Sequence, residues 1–198
     1  MNHYNDSHAD QDKDMTCIEG VFQTVVEGHS AYYVSTPITS GTRFVKWRSS
    51  SGLTEVDATY VDEHRRHVID ANRAEVRPFV QALRRRYSVP VIDPTALDDV
   101  PGWTQADYRT FWGRVIERYA DTVIFMHGWE YSSGCSYEFI VAKKAAVNTV
   151  DSEMNVISVA DGHAKLTEAV TAYHQVGIPV TFLESVEQML LTLSDGKG

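Results

Sequence analysis

The sequence predicts an α/β domain with a mainly parallel sheet and helices on both faces. Short apolar runs at residues 31–34, 89–92 and 122–126 have the length and composition of buried strands. Segments in which apolar residues recur at helical spacing lie between these runs, so strands and helices alternate along the chain. The chain has 198 residues and shows neither an internal repeat nor a Ser/Gly-rich linker, so we expect a single domain.

The overall composition restricts the partners of this domain. Its net charge of −9 disfavours nucleic acid and anionic membranes, because both would repel an acidic surface. No apolar run approaches the ~20 residues that span a bilayer, and no signal-peptide core is evident, so we expect a cytoplasmic protein. Cys17 and Cys135 match no metal-ligand spacing and are expected to be reduced thiols. Small metabolites remain as partners, and nothing implies a metal or a cofactor.

The first residues of the chain are polar and acidic. Residues 1–17 contain almost nothing to bury, so we expect a disordered tail ahead of the domain at residues 18–198. His3 and His8 lie near Asp residues, but we interpret them as solvated side chains because no fixed geometry holds them as metal ligands. The weak pattern at residues 21–26 allows a short strand or a turn.

The first core strand is predicted at residues 31–34, and a Ser-Thr-Pro turn closes it. Residues 42–58 contain a Ser/Ser/Ser/Gly break and are predicted to form a long loop, which in a compact domain is usually functional or mobile. The apolar spacing from residue 60 to 87 predicts a helix that Pro78 kinks or splits. The arginines of this helix are expected to form its solvated face.

The next two elements are a short buried strand at residues 89–94 and a helix at residues 104–119. Thr104 is the expected N-cap of this helix, ahead of Asp107. Both elements precede the central strand.

Four elements are expected after the central strand. A helix is predicted at residues 134–147, a strand at residues 156–159, a helix at residues 164–175 that Gly177 closes, and a short helix at residues 185–193.

The most informative stretch spans residues 121–142. Its apolar run gives way to a Gly/Ser-rich turn at residues 128–134, and this turn opens a helical pattern that carries Glu138. At the carboxyl end of a parallel strand, free backbone N–H groups and the positive end of the helix favour an anion. The loop after the first strand, with Thr36 and Pro37, should meet this turn, so we predict a ligand crevice here.

Several common motifs are absent from the sequence. No Gly-x-Gly-x-x-Gly follows a strand, and neither a Walker lysine loop nor a Gly-x-Ser-x-Gly elbow is present. The Ser-Ser-Gly-Cys run suggests a cysteine nucleophile at Cys135, made acidic by the helix start, as a minor alternative. No histidine is obviously paired with it.

These motifs together resemble those of the nucleoside 2-deoxyribosyltransferase superfamily. The resemblance rests on a Tyr-containing first strand ending in Ser-x-Pro-Ile-Thr, a middle Asp-Pro strand, and the pattern Gly-Trp-Glu-x-Ser-x-Gly-x-x-x-Glu. It covers roughly residues 32–147 and is closest to a branch in which the Gly-Trp-Glu turn recurs. The resemblance implies a Rossmann-like (flavodoxin-like) fold, together with cleavage or transfer at the N-glycosidic bond of a nucleotide.

The resemblance also implies the roles of individual residues. Glu138 matches the family nucleophile that attacks the anomeric carbon, and Tyr33 matches a tyrosine beside the reacting carboxylate. Ser132 matches the serine that holds the 5′-phosphate in the family's hydrolases. This agrees with the chemistry, since cleavage of a C–N glycosidic bond passes through an oxocarbenium-like state that a carboxylate stabilises.

Other residues near the crevice are candidates for substrate contacts. Ser133 and Gly134 join Ser132 in the phosphate turn, although serines there also cap helices. Trp129 is a candidate to stack on the base, although packing is the commoner role of such a residue. Arg43 and Lys46 are the candidate cationic partners of the phosphate, and a solvated loop is the alternative for each.

The sequence departs from the family at two positions. The family's transferases carry an aspartate on the helix before the central strand, where this chain has Trp112 or Gly113. Asp107 is the nearest substitute for the leaving-group acid. The transferases also carry an acidic residue where Ser132 stands, so serine favours a nucleoside 5′-monophosphate over a free nucleoside.

Two other functions remain open from the sequence. A non-catalytic nucleotide-binding module would explain the missing aspartate. An enzyme acting on NAD or a related dinucleotide would use the loop at residues 40–58 for the extra room. The family completes its sites with residues from a neighbouring subunit, so the resemblance also implies a homodimer or a larger homo-oligomer.

Overall fold

The computed structural model of the chain shows an α/β domain built on a parallel sheet, as the sequence predicts. It describes residues 3–26, 30–97 and 99–195, and the side chains of residues 15–26, 30–97 and 99–193. All strand pairs are parallel and the strand order is β2-β1-β3-β4, which is the flavodoxin-like order. The strands are β1 (Ala31–Ser35), β2 (Val91–Ile92), β3 (Ala120–Phe125) and β4 (Asn148–Asp151).

Helices connect the strands and cover both faces of the sheet. A π-helical turn at Arg65–Ile69 joins two of them, and short 3₁₀ turns lie at Pro94–Ala96 and Trp129–Tyr131. Within the described ranges, no helix is long and apolar enough to cross a membrane. The helices are α1 (His3–Val26), α2 (Thr42–Ser51), α3 (Tyr60–His64), α4 (Asp70–Arg86), α5 (Gln105–Tyr119), α6 (Ser133–Lys144), α7 (Val159–Gln175) and α8 (Thr181–Asp195).

Alternation along the strands divides the core into two layers. Tyr33 and Val123 belong to the larger layer, which packs against α1, α5, α6, α7 and α8. Val34 and Ile124 belong to the smaller layer, which packs against α4 through residues such as Val80. Because strand order reverses between β1 and β3, the loops that follow these two strands diverge and leave a crevice at the carboxyl edge.

The N-terminal segment differs from its prediction. Residues 3–17 were expected to be a disordered tail and residues 21–26 a strand or turn, but α1 runs through both segments to Val26. Its apolar residues recur at helical spacing, so that Met15 is buried and the Phe22 ring lies 6.0 Å from the Trp112 ring on α5. This narrow stripe is enough to dock a helix that is otherwise polar. Residues 1 and 2 lie outside the described residues.

The region between β1 and β2 is more helical than predicted. The expected loop at residues 42–58 is wrong for its first half, because α2 forms there, buries Trp47, and ends at Gly52 in the left-handed conformation (φ 66°). The helix predicted from residue 60 is interrupted at the π-helical turn, whereas α4 continues through Pro78.

The prediction for α5 is confirmed, including the N-cap Thr104. The strand predicted at residues 156–159 is wrong, because the fourth strand is β4 and Val156 makes only an isolated antiparallel bridge with Val150. The helix predicted at residues 134–147 included the Ala-Ala-Val run before β4, because this run has the composition of a helix end. In the structure, α6 ends at Lys144. The helices α7 and α8 both begin earlier than predicted.

Gly162 on α7 sets how closely that helix approaches α6. A Cβ atom at this position would lie 2.2 Å from Cε1 of Phe139, a fully buried ring of α6. The Phe139 ring in turn lies 5.4 Å from Phe125 and 4.7 Å from Trp129, so it has little room to move.

We therefore predict that Gly162→Ala lowers the free energy of unfolding by about 1–3 kcal/mol, because the added methyl overpacks the contact between α6 and α7. Chemical denaturation measures this change. Gly20→Ala on α1 is the matched control, since a Cβ there meets nothing within 4 Å and alanine gains about 0.5–1 kcal/mol in a helix. Equal stability of the two variants would show that α7 can shift freely.

Candidate functional site

A cavity of about 380 Å³ opens at the carboxyl edge of the sheet. Its walls come from the loop after β1, the turn before α6, the segment from α3 to α4, and the first half of α5. Its volume lies within the range of about 300–1,000 Å³ that is typical of small-molecule sites. The crevice predicted from the sequence is therefore present at the predicted edge.

Glu138 lines this cavity from α6 and is only 8% exposed. The Tyr33 hydroxyl donates to Oε1 at 2.6 Å, and the Ser35 hydroxyl donates to Oε2 at 2.6 Å. Tyr33 and Ser35 are two residues apart on β1, so both side chains project from the same face of the sheet towards α6. No ion pair joins Glu138 to any residue that the structure describes. Two neutral hydroxyls thus hold a buried carboxylate.

Burial controls the titration of these groups. It raises the pKa of Glu138 to about 7, although the hydrogen bonds from Ser35 and Tyr33 act in the opposite direction. Burial, followed by the charge of Glu138, also raises the pKa of the Tyr33 hydroxyl well above its ordinary value. Tyr33 therefore stays protonated and remains a donor while Glu138 changes its charge near neutral pH.

The turn before α6 forms another part of the wall. Ser132, Ser133 and Gly134 all line the cavity, as predicted. Ser132 is the N-cap of α6, and its hydroxyl accepts from the Cys135 backbone N–H at 3.4 Å. Residues of the first turn of α6 therefore line this wall, and the partial positive charge of a helix start favours an anion.

The geometry disfavours Cys135 as a nucleophile. The thiol is buried and lines the cavity next to Glu138. Burial, together with the charge of Glu138, raises the pKa of this thiol far above its ordinary value. It therefore stays protonated at neutral pH, whereas the reactive form of cysteine is the thiolate.

Trp129 does not line the cavity, contrary to its predicted role in stacking on a base. The 3₁₀ turn at Trp129–Tyr131 directs the indole into the core, where it is 3% exposed. Its ring lies 4.9 Å from Phe125 and 4.7 Å from Phe139. The packing role, which the sequence left as the alternative, is the one observed.

The residues of the loop after β1 line two different pockets. Thr36 lines the main cavity, but Pro37 and Arg43 line a separate small pocket behind it. The Arg43 guanidinium donates to Asn72 at 3.0 Å and to Glu75 at 2.6 Å. The predicted roles of Pro37 and Arg43 in substrate binding are therefore not supported, because partners on α4 already hold the Arg43 side chain.

Asp107 is also placed away from the cavity. Its carboxylate accepts from the Thr104 backbone N–H at 2.7 Å and from the Thr104 hydroxyl at 2.6 Å, which completes a capping box at the start of α5. Among the residues that the structure describes, the carboxylates lining the cavity are Glu138 and Asp99. Asp99 precedes α5 and is not among the residues that the sequence suggested for the site.

Trp112 fills the position where the resemblance leads us to expect an aspartate. It lines the cavity, is 7% exposed, and packs edge-on against Tyr33 with 6.0 Å between the rings. Gly113 faces α6 instead, since its nearest neighbours are Tyr137 and Val141. The cavity therefore contacts an indole where an acid was expected.

Arg65 and Arg73, which the sequence placed on a solvated helix face, line the cavity together with Arg109 of α5. The Arg109 guanidinium lies over the Phe182 ring at 4.6 Å. Helical spacing alone assigns Arg65 and Arg73 to the solvent-exposed face of their helix. Only the fold shows that this face borders a cavity. Within the described part of the chain, no group of His, Cys, Asp and Glu side chains is arranged to hold a metal ion.

Comparison with protein-family models, with curated proteins and with solved structures finds no significant match to this chain.

The raised pKa of Glu138 makes the free energy of unfolding depend on pH. The pKa of Glu138 is ordinarily 4.5 and is about 7 in the fold. In the pH window between these two values, the folded state therefore holds a proton that the unfolded state has lost. Stability of the wild type consequently falls as pH rises through this window. Glu138→Gln keeps the shape of the side chain but cannot ionise.

We predict that Glu138→Gln is more stable than the wild type at about pH 8, and that this advantage shrinks by about 2–3 kcal/mol at about pH 5. Denaturation of both proteins at the two pH values measures this. Glu130→Gln is the matched control, since Glu130 is also buried in this region but forms no hydrogen bond with Tyr33 or Ser35, both of which donate to Glu138. A stability difference that is independent of pH would contradict the raised pKa.

Proposed function

We propose that this protein cleaves, or transfers at, the N-glycosidic bond of a nucleotide, with Glu138 as nucleophile. The observation that carries the proposal is the buried Glu138 carboxylate, which lines a cavity and is held by the hydroxyls of Tyr33 and Ser35. These two hydrogen bonds fix the orientation of the carboxylate without neutralising it. The resemblance to the nucleoside 2-deoxyribosyltransferase superfamily adds support, because it assigns the same role to this residue.

The reaction follows from the chemistry of a carboxylate. One oxygen of Glu138 attacks the anomeric carbon, a C–O bond forms, and the C–N bond to the base breaks. The electron pair of that bond goes to the base nitrogen, which takes up a proton. Water, or a second base, then attacks the same carbon and releases Glu138. The developing positive charge on the sugar is stabilised by the buried carboxylate throughout.

We assign the 5′-phosphate to the turn of Ser132, Ser133 and Gly134. Hydroxyl groups and backbone N–H groups at a helix start bind phosphate in many folds. The same turn is separated from Glu138 by little more than one turn of α6, which suits the short distance between a 5′-phosphate and the anomeric carbon of one nucleotide. A nucleoside 5′-monophosphate unit is therefore the proposed minimal substrate.

The leaving base also needs a proton. Since Asp107 is occupied in its capping box, Asp99 is the candidate donor on the cavity wall. The indole of Trp112, in place of an aspartate, favours one alternative, a module that binds the nucleotide without cleaving it. By the resemblance, we also propose that the protein works as a homodimer or a larger homo-oligomer.

A panel of ribo- and deoxyribonucleoside monophosphates, scored for free base by chromatography, tests the proposed reaction. We predict base release by the wild type and a loss of at least about 10³-fold in Glu138→Gln, because the amide cannot form the glycosyl intermediate. Glu130→Gln is the control and should retain activity. Binding of a nucleotide without release of base across the whole panel would favour the binding module instead.

The pH dependence gives an independent test. Because the nucleophile must be deprotonated, the limb of the kcat/KM profile that Glu138 controls should rise with pH through about pH 7, which is the pKa of Glu138 in the fold. Tyr33→Phe removes a hydrogen bond that favours the charged form, so the rising limb should move to higher pH by about 1 unit. Rate measurements from about pH 5 to 9 on both proteins show this shift. If the rising limb of the Tyr33→Phe profile lay at the same pH as that of the wild type, Tyr33 would have no influence on the pKa of Glu138.

A further inference from the structure

The wall of the cavity opposite α6 has an unusual helical geometry. Val61, Arg65, Ile69 and Arg73 are spaced four residues apart, and all line the cavity. At 3.6 residues per turn, a regular α-helix would rotate such a series progressively away from a single face. The π-helical turn Arg65–Ile69 widens the helix in the middle of the series, which keeps all of it on the cavity side.

Arg73 is the most informative residue of this wall. Its Nε atom is buried and has no hydrogen-bond partner, and no ion pair joins its side chain to any residue that the structure describes. The polar neighbours Asn72 and Glu75 on α4 are engaged by Arg43. A buried donor on a cationic group without a partner is costly, and an acceptor on a ligand in the cavity would satisfy it.

Arg65 extends the same wall towards solvent. Its side chain is 68% exposed, and its one ion pair within the described residues is with Asp70 at 3.9 Å, a loose surface pair. A ligand that contacts Arg73 can therefore also reach Arg65 at the mouth of the cavity.

The charge of the cavity contrasts with that of the chain. The sequence has 27 acidic and 18 basic Lys and Arg residues, whereas the described cavity wall has three arginines and two carboxylates, Glu138 and Asp99. Because arginines outnumber carboxylates at this cavity in an otherwise acidic protein, the local charge favours an anionic ligand there.

Two walls suited to an anion, the serine turn and the arginine wall, therefore face one cavity from different sides of the sheet. The serine turn belongs to α6, which covers the sheet face of Tyr33, whereas α4 covers the face of Val34. We propose that Arg73 and Arg65 bind a second phosphoryl group, so that the ligand carries a pyrophosphate, as nucleoside diphosphates and dinucleotides do. The inference rests on the proposed function only in assigning the first phosphate to the serine turn.

Binding of inorganic pyrophosphate and orthophosphate, measured by calorimetry, tests the second subsite without any reaction. The wild type should bind pyrophosphate at least 10-fold more tightly than orthophosphate, and Arg73→Gln should weaken pyrophosphate binding by about 10- to 100-fold. Arg73→Lys should fall between the two, because it keeps the charge but loses the paired donors. Arg85→Gln, on an exposed part of the same helix, is the matched control and should bind as the wild type does.

Nucleotides then identify the source of the pyrophosphate. In the Glu138→Gln background, which prevents turnover, matched nucleoside monophosphates, diphosphates and NAD are compared with and without Arg73→Gln. We expect Arg73→Gln to weaken the diphosphate or NAD and to leave the monophosphate unchanged. An equal loss for all three ligands would place the single phosphate at Arg73 and overturn the proposal, as would the absence of any preference for pyrophosphate.

The outcomes also separate this inference from the proposed function. Pyrophosphate binding that depends on Arg73, in a protein that releases no base, would support the subsite and reject the glycosidic reaction. Base release from monophosphates with no effect of Arg73→Gln on any ligand would support the reaction and reject the subsite. Arg73→Gln removes no hydrogen bond or ion pair among the described residues, so its melting temperature should stay close to that of the wild type.

Discussion

The burial of one carboxylate, Glu138, is the constraint on which the rest of the site depends. An ionised carboxylate in an apolar environment costs several kcal/mol unless polar groups compensate it. Here the compensation comes from Tyr33 and Ser35, which reach Glu138 only because β1 pairs with β3 and α6 follows β3 directly. Ser35 pairs with Phe125 at the ends of these strands, which places the Ser35 hydroxyl on the edge of the sheet where α6 begins. Sheet register and site geometry are therefore set by the same contacts.

The aromatic layer beneath α6 holds the carboxylate in place. Phe139 follows Glu138 on the helix and packs against Phe125 and Trp129. Because Gly162 has no side chain, α7 also lies directly against the Phe139 ring. A rigid core under one face of α6 leaves its other face, with Glu138, little freedom to rotate. Trp129 thus contributes to the site through packing rather than through ligand contact, which explains a large aromatic residue directly after the left-handed Gly128.

Local patterns in the sequence predicted what local interactions decide. The strand at β1, the capping of α5 by Thr104, and the approach of Tyr33 to Glu138 all follow from short-range periodicity or from motif matches. Ser35 was missed although its signal was present, since residues two apart on a strand share a face. The role of Arg43 in binding phosphate is not supported because Glu75, 32 residues away, engages its side chain, and no local pattern encodes that pairing. Arg65 and Arg73 are eight residues apart, and the π-helical turn between α3 and α4 is needed to explain why both line the cavity.

The separation of opposite charges in the cavity is consistent with a site that acts on a ligand. A direct ion pair between Arg73 and Glu138 would satisfy both groups in the empty protein, but it would also lower the pKa of Glu138 and reduce its nucleophilicity. No such pair is present between these two described residues. Glu138 instead keeps a pKa of about 7, and Arg73 keeps an unused donor. A ligand with phosphate at one end and an electron-poor sugar carbon at the other would satisfy both groups at once, which makes binding the step that completes the hydrogen bonding of this cavity.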